Sequence, residues 1–283
     1  MVLRPLIKAL LPRSALGAAV SARDAVQILS TPRAAFDARN LRPAADVDMK
    51  AIFGDRSAAE AWQTDQAAVA SVFGAREWVG GVNPGDRRAI YHLIYALNPR
   101  SVLEVGTHVG ASTFHIARAL RAAAPDGTLT TVDISDVNDP QSGAWVSVGL
   151  NRAPRDMLAA LDCARHVTFV VRPSLEFMTA TNEKYDFIFL DGDHSARAVY
   201  LETAAALRLL RPGGLILLHD FYPEGRPLYA GSGVIVGPDR ALKRVRRECP
   251  DIAVMPVGAL PWLTKDGSNV TSLALVAKAS SPA

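Results

Sequence analysis

The stretch Ser101 to Thr113, S-V-L-E-V-G-T-H-V-G-A-S-T, leaves few folds open to this chain. Val102, Leu103 and Val105 form a short β-prone run, Gly106 and Gly110 follow at once, and an apolar helical pattern through Phe114, Ile116, Ala117 and Leu120 begins just beyond. The spacing predicts a strand, a glycine turn and a helix. Such a turn lets a ligand approach bare backbone and meet the unpaired N–H groups of the helix start, where polar or negative groups are favoured. A small-molecule cofactor is the natural occupant.

The spacing also sorts the cofactors. A dinucleotide fingerprint needs G-x-G-x-x-G, but His108 and Ala111 hold the second and third glycine positions, and no G-K-[ST] follows to make a phosphate loop. The pattern that fits is E-x-G-x-x-x-G with an acid ending the next strand, Thr130-Thr131-Val132-Asp133. A carboxylate there can accept hydrogen bonds from both hydroxyls of a ribose. At these residues the chain resembles the class I S-adenosylmethionine-dependent methyltransferases, and V-L-E-V-G-T-H-V-G-A-S-T is similar to the catechol-type O-methyltransferase version. The resemblance covers roughly the last two hundred residues. It implies S-adenosylmethionine as cofactor, held by Glu104, Gly106, His108, Gly110, Ser112, Asp133, Ser174 and Asp191. Without that resemblance, the same turn reads as an ordinary α/β connection with two glycines.

Composition narrows the class further. The 283 residues are 49% hydrophobic and 21% charged, which suits one large globular domain with an appendage rather than a disordered chain. Net charge is only +3, and no Lys/Arg run is interleaved with aromatics, so a nucleic-acid partner is not expected. Cys163 and Cys249 give neither metal-ligand spacing nor a disulfide framework, which favours a reducing cytoplasm. Pro12 and Arg13 split the partly apolar start, so neither a signal peptide nor a membrane span is expected. The arm through residue 44 carries Arg4, Lys8, Arg13, Arg23, Arg33, Arg39 and Arg42 against Asp24 and Asp37, which allows weak attraction to an acidic membrane surface.

Two regions follow from the patterning. Residues 1–81 are Ala- and Arg-rich with scattered aromatics including Phe36, Phe53, Trp62, Phe73 and Trp78, and read as a helical extension that closes over substrate or forms a homo-oligomer contact. Residues 82–283 read as the cofactor-binding domain. A turn from Val82 to Arg87 leads into a helix through Ala89, Ile90, Leu93, Ile94 and Leu97, and the resemblance implies that this turn lies beside the cofactor. After the glycine turn, helices around Met157 to Leu161, Leu175 to Met178 and Val199 to Leu210 alternate with strands Val167 to Val171, Phe187 to Leu190 and Leu215 to Leu218. Arg211-Pro212-Gly213-Gly214 reads as the turn closing the third helix. Strands apolar on both faces and alternating with helices indicate a doubly wound parallel sheet. Ile252 to Val257 and Ser272 to Val276 read as a terminal hairpin, and the resemblance implies a seven-stranded Rossmann-like sheet whose last strand is antiparallel.

Ligands of open α/β sheets sit beyond the carboxyl ends of the strands. Two clusters lie at such ends: Leu190-Asp191-Gly192-Asp193-His194 and His219-Asp220-Phe221-Tyr222. Neighbouring strands lie roughly 5 Å apart, so side chains from both ends can converge on one cation or one substrate group. Asp191 and Asp220 supply hard carboxylate oxygens suited to Mg²⁺, and His219 as a third ligand tilts the choice toward Mn²⁺. The pair of clusters resembles metal-dependent O-methyltransferases acting on sugars and small aromatic hydroxyls, with His219 standing where relatives carry an oxygen ligand. The resemblance makes His194 the catalytic base and a small-molecule hydroxyl the acceptor, and puts Ser174 beside the adenine. Asp193 and Ser195 have a simpler reading as helix caps, and His92, His115 and His166 as structural residues. The long Gly/Pro/Tyr-rich segment Phe221 to Asp239 is expected to form substrate wall or lid with Trp145 and Trp262. Two rival functions share these residues: a metal-independent methyltransferase with a histidine base, and a non-catalytic scaffold that keeps the fold.

Overall fold

The computed structural model describes residues 13–74, 79–265 and 267–280. Arg4, Lys8 and Trp78 lie outside the described residues, as does the Arg13 side chain. Helices α1 (Arg13–Ser30), α2 (Met49–Gly54), α3 (Arg56–Phe73) and α4 (Pro84–Leu97) precede the sheet. Alternation then follows through β1 (Ser101–Val105), α5 (Ala111–Ala123), β2 (Thr128–Asp133), α6 (Ala144–Ser147), α7 (Pro154–Ala160), β3 (Val167–Val171), α8 (Ser174–Ala180), β4 (Tyr185–Leu190) and α9 (Ala196–Leu209). The chain ends in β5 (Leu210–Leu218), α10 (Gly237–Glu248), β6 (Ile252–Pro256) and β7 (Ala274–Lys278).

The seven strands form one sheet in the order β3-β2-β1-β4-β5-β7-β6. β1 to β5 run parallel, and β7 is antiparallel to both of its neighbours, as the sequence reading expects. Alternation along each strand splits the core into two layers. Leu103, Ile188, Ile216 and Leu218 face Tyr200, Leu207, Leu242 and Val245 of α9 and α10. Val102, Phe187, Phe189 and Leu217 face Ile90, Leu93, Ile116 and Leu120 of α4 and α5. With helices on both faces, these strands can be apolar throughout.

Register decides where the site falls. Val105 pairs with Val132 on one side and Leu190 on the other, and Leu190 pairs with Leu218. The next residue on each strand is therefore Gly106, Asp133, Asp191 or His219, all at one edge. The order reverses between β1 and β4, the crevice where open α/β sheets bind ligands.

The Arg211 to Gly214 segment differs from a simple helix-closing turn. Leu210 already pairs with Tyr185, and the next partners are Leu215 and Phe187, so the intervening residues bulge out of the ladder. The bulge gives the chain's earlier part a docking point, because Arg42 N–H donates to the Gly214 carbonyl at 2.9 Å.

The extension is joined to the core by a buried polar network. Asp65 on α3 accepts from Tyr91 on α4 at 2.7 Å and from Arg118 Nε on α5 at 2.8 Å, while Trp62 packs edge-on to Tyr91. Asp65 and Arg118 are both almost fully buried. Removing one partner strands the other charge in the interior, which typically costs about 3–5 kcal/mol. Asp65→Ala is therefore expected to lower the unfolding free energy by that amount, read as a lower urea midpoint with little change in slope in equilibrium denaturation.

Candidate active site

The glycine turn is built on Glu104, which is 0% exposed. Its carboxylate accepts from Ser112 Oγ and Thr113 Oγ1 at 2.6 Å and from Thr131 Oγ1 at 2.7 Å, so β1, β2 and the first turn of α5 close on one group. Burial pushes Glu104 up to about 7 against the pull of those three hydroxyls. Gly106, at φ +95°, approaches the Asp191 backbone so closely that a methyl there would overlap the Asp191 carbonyl oxygen. Gly110, at φ +83°, is the residue before α5, and a methyl there would come within 2.7 Å of the Phe114 ring. Both glycines are thus demanded by left-handed backbone and close packing.

A cavity of about 650 Å³ opens above this turn. Gly106, His108, Ser112, Asp133, Ser174 and Asp191 reach its wall, whereas Glu104 and Gly110 do not. Those two act beneath the surface, as support for the turn. Asp133 accepts the His108 N–H at 2.9 Å and the Ser135 N–H at 3.0 Å, one on each oxygen, which orients its carboxylate. His108 and Asp220, both on the wall, are non-glycine residues in the left-handed region, at φ 51° and 55°. Backbone of that kind is concentrated at functional sites.

The far end of the cavity holds four ionisable side chains. His219 Nδ1 lies 2.9 Å from Asp191 Oδ1 and 3.6 Å from Asp220 Oδ1, and His194 Nε2 lies 3.4 Å from Asp220 Oδ2 and 4.0 Å from Asp191 Oδ1. The second nitrogen of His219 faces Asp86 Oδ2 at 3.2 Å. Asp86 is 0% exposed and is held by Asn83, whose amide donates at 2.6 Å. Burial disfavours a charged His219, but Asp191, Asp86 and Asp220 outweigh it and hold the imidazole well above its usual 6.5.

Asp191, His219 and Asp220 can each offer one ligand atom within 4.8 Å of the others. A metal-bound histidine usually gives its other N–H to a carboxylate, and Asp86 stands in that place. The cluster therefore fits a divalent ion, and its nitrogen and two carboxylates suit Mn²⁺-like ions better than Mg²⁺.

Other expectations fall differently. Asp193 accepts the Ser195 N–H at 2.8 Å and Ser195 caps α9 through Ala198, although Asp193 also reaches the cavity. His92 and His115 are buried and pushed down to about 4 and about 3 by that burial, as structural residues would be. His166 is buried against the Gly127 carbonyl. Trp145 and Trp262 are not on the cavity wall: Trp145 packs in the core beside α5, and Trp262 sits under Arg88 against Phe53. No described residue of 221–239 reaches the wall either, because that segment folds onto α10 through Glu224 and Asp239.

Residues 103–221 match the family model described as a methyltransferase domain. Over those residues the chain is similar to a methyltransferase domain. A catechol O-methyltransferase of Mycobacterium tuberculosis is 28% identical over 171 residues, 59% of this chain and 70% of that protein. One from Niastella koreensis is 29% identical over 151 residues, 53% of this chain and 62% of its own length. The chain spans about 60% of the length of several of the curated relatives it matches. Among solved structures, an O-methyltransferase from Bacillus cereus in complex with SAH superimposes with a TM-score of 0.51 at 21% identity, over 79% of this chain and 91% of that one. The O-methyltransferase TomG from Streptomyces achromogenes, in complex with SAM, gives 0.51 at 17% identity, over 80% and 91%.

Sequence spacing left several residues of the cavity wall unmarked: Gly80, Gly81, Ile134 and Glu202, together with Asp86 behind His219. Asp86 reads as an ordinary acid in a first helical turn, and only the fold brings it to a histidine 133 positions away. Glu104 supplies a pH test. Its folded pKa near 7 stands above its ordinary 4.5, so the folded state keeps the proton longer. Stability is therefore expected to fall as pH rises from about 4.5 to about 7, by up to roughly 3 kcal/mol. Denaturation at pH 5 and pH 8 should show a smaller loss for Glu104→Gln than for wild type.

Proposed function

We propose that this chain is an S-adenosylmethionine-dependent O-methyltransferase acting on a hydroxyl of a small molecule. The observation that carries the reading is the strand-end alignment, which puts the glycine turn and Asp133 in one cavity with Asp191, His194, His219 and Asp220. The catechol O-methyltransferase names of the relatives support an oxygen acceptor.

Asp133 would take the ribose hydroxyls, its carboxylate already oriented by two backbone N–H groups. The turn after β1 would leave room for the amino-acid portion, with the sulfonium methyl directed toward the acidic end. Bound there, S-adenosylmethionine would supply an electrophilic methyl group to the acceptor oxygen, its sulfur keeping the electron pair as a thioether. The hydroxyl proton goes to His194 Nε2, which Asp220 and Asp191 flank and whose side chain is 31% exposed to the cavity. Asp191, Asp220 and His219 Nδ1 would hold a divalent ion, with Asp86 fixing the imidazole. When bound, the ion supplies Lewis acidity that makes the acceptor oxygen easier to deprotonate. A metal-independent variant rests on one distance: 2.9 Å between His219 Nδ1 and Asp191 also suits a proton.

Calorimetry with S-adenosylhomocysteine should show binding that Asp133→Ala weakens strongly; binding of a nucleotide instead would refute the cofactor. General-base assistance is worth roughly 10²–10⁴-fold, so His194→Ala should lower kcat by that factor and leave cofactor affinity nearly intact. Metal analysis of the purified protein, with turnover before and after chelation, separates the two enzyme readings. Full activity after complete metal removal eliminates the ion's role.

A further inference from the structure

The cavity has an arm that the transfer chemistry does not use. Beyond Asp133 it runs between the start of α8 and the first turns of α9, walled by Ser174, Leu175, Ala198 and Glu202. Glu202 is 2% exposed, and its one hydrogen bond among the described residues comes from Ser174 Oγ to Oε1 at 2.5 Å. No cationic side chain pairs with it among the described residues. Burial raises the carboxyl to about 7, the Ser174 bond pulls it down, and the nearby charge of Asp193 pushes it back up.

A carboxyl has about four acceptor positions, and here a single donor is supplied by the protein. An acid with only a packing role would be replaced by an amide or an apolar group without this desolvation cost. Flanking the arm are apolar groups: Leu175, and Ile134, which is 72% exposed on the cavity wall next to Asp133. Apolar groups for the faces of a flat ring and a buried acceptor for its edge are how a pocket recognises a heterocycle carrying an amino group.

The direction of the ligand follows from the other residues. With the ribose on Asp133 and the reacting methyl toward Asp191 and His194, the base extends away from the acidic end. We infer that Glu202 is the specificity-determining residue for the cofactor's purine, its carboxyl oxygen accepting from the exocyclic 6-amino group. Ser174 then acts as a positioning residue that fixes the carboxyl through Oε1. This inference rests on the S-adenosylmethionine reading.

The test is titration calorimetry of the full chain with S-adenosylhomocysteine and with its analogue carrying hydrogen in place of the 6-amino group. A site built to pair a donor rejects a ligand lacking it, because the buried acceptor is left unpaired. Wild type should prefer the amino ligand by roughly 10- to 100-fold, the range of a hydrogen bond to a charged group. Glu202→Gln keeps an acceptor and should keep a preference; Glu202→Leu should bind the two ligands almost equally, and Glu202→Ala serves if the leucine variant does not fold. Equal binding of both ligands by wild type overturns the inference, as does an unchanged preference in the truncated variant. If wild type binds neither ligand, the cofactor reading itself has failed and the role of Glu202 falls with it.

Discussion

One buried carboxylate holds the glycine-turn end of the cavity together. Glu104 projects from the middle strand of the parallel half of the sheet and receives hydroxyls from α5 and from β2, so the glycine turn between them has little freedom. Thr107 extends the network through its own bond to Thr131 at 2.6 Å. Each hydrogen bond to a charged group contributes about 1.5–3 kcal/mol, so three of them recover much of the several kcal/mol that burying a carboxylate costs, while burial still outweighs them and raises the carboxyl's pKa. That balance explains why an ionisable group is tolerated at a fully buried position. It also explains why Glu104 matters without touching the cavity: it sets the path of the backbone that does.

The acidic end obeys a different constraint. Asp86, Asp191 and Asp220 crowd around one imidazole, with His194 on the outer side. Three carboxylates in so small a volume repel one another unless positive charge is present. His219 can carry that charge as an imidazolium, or it can offer Nδ1 to a cation that does so. In either state Asp86 holds Nε2 and keeps the ring in one orientation, so the geometry presented to the cavity is the same. The cluster is an electrostatic unit, and single substitutions within it will not have additive effects.

Much of this was legible in the chain. The strands and helices follow from apolar runs and glycine punctuation, because a parallel sheet buried on both faces leaves a strong local imprint. The strand-end acids Asp133, Asp191 and Asp220 were legible for the same reason: once the strands are placed, their carboxyl ends are placed too. What sequence could not show is depth. Glu104 and Ser112 sit in the same motif, yet one is buried support and the other reaches the cavity wall. Trp145 and Trp262 look like ligand-facing aromatics in a loop-rich sequence, but packing turns both away from the cavity.

Three of the residues that spacing missed have a common origin. Gly80, Gly81 and Asp86 all precede β1, and they come to the site because α4 lies against α5 and carries its N-terminal turn to the strand ends. Asn83 caps that turn by accepting the Asp86 N–H at 3.0 Å, and its amide grips the Asp86 carboxylate from the other side. Arg87 secures the same turn by donating from Nε to the Val82 carbonyl at 2.8 Å and from a guanidinium N–H to Val79 at 2.6 Å. The turn that the resemblance puts beside the cofactor is thus also a structural part of the acidic end. A boundary drawn at residue 81 separates patterns of sequence, but the cavity is completed from both sides of it.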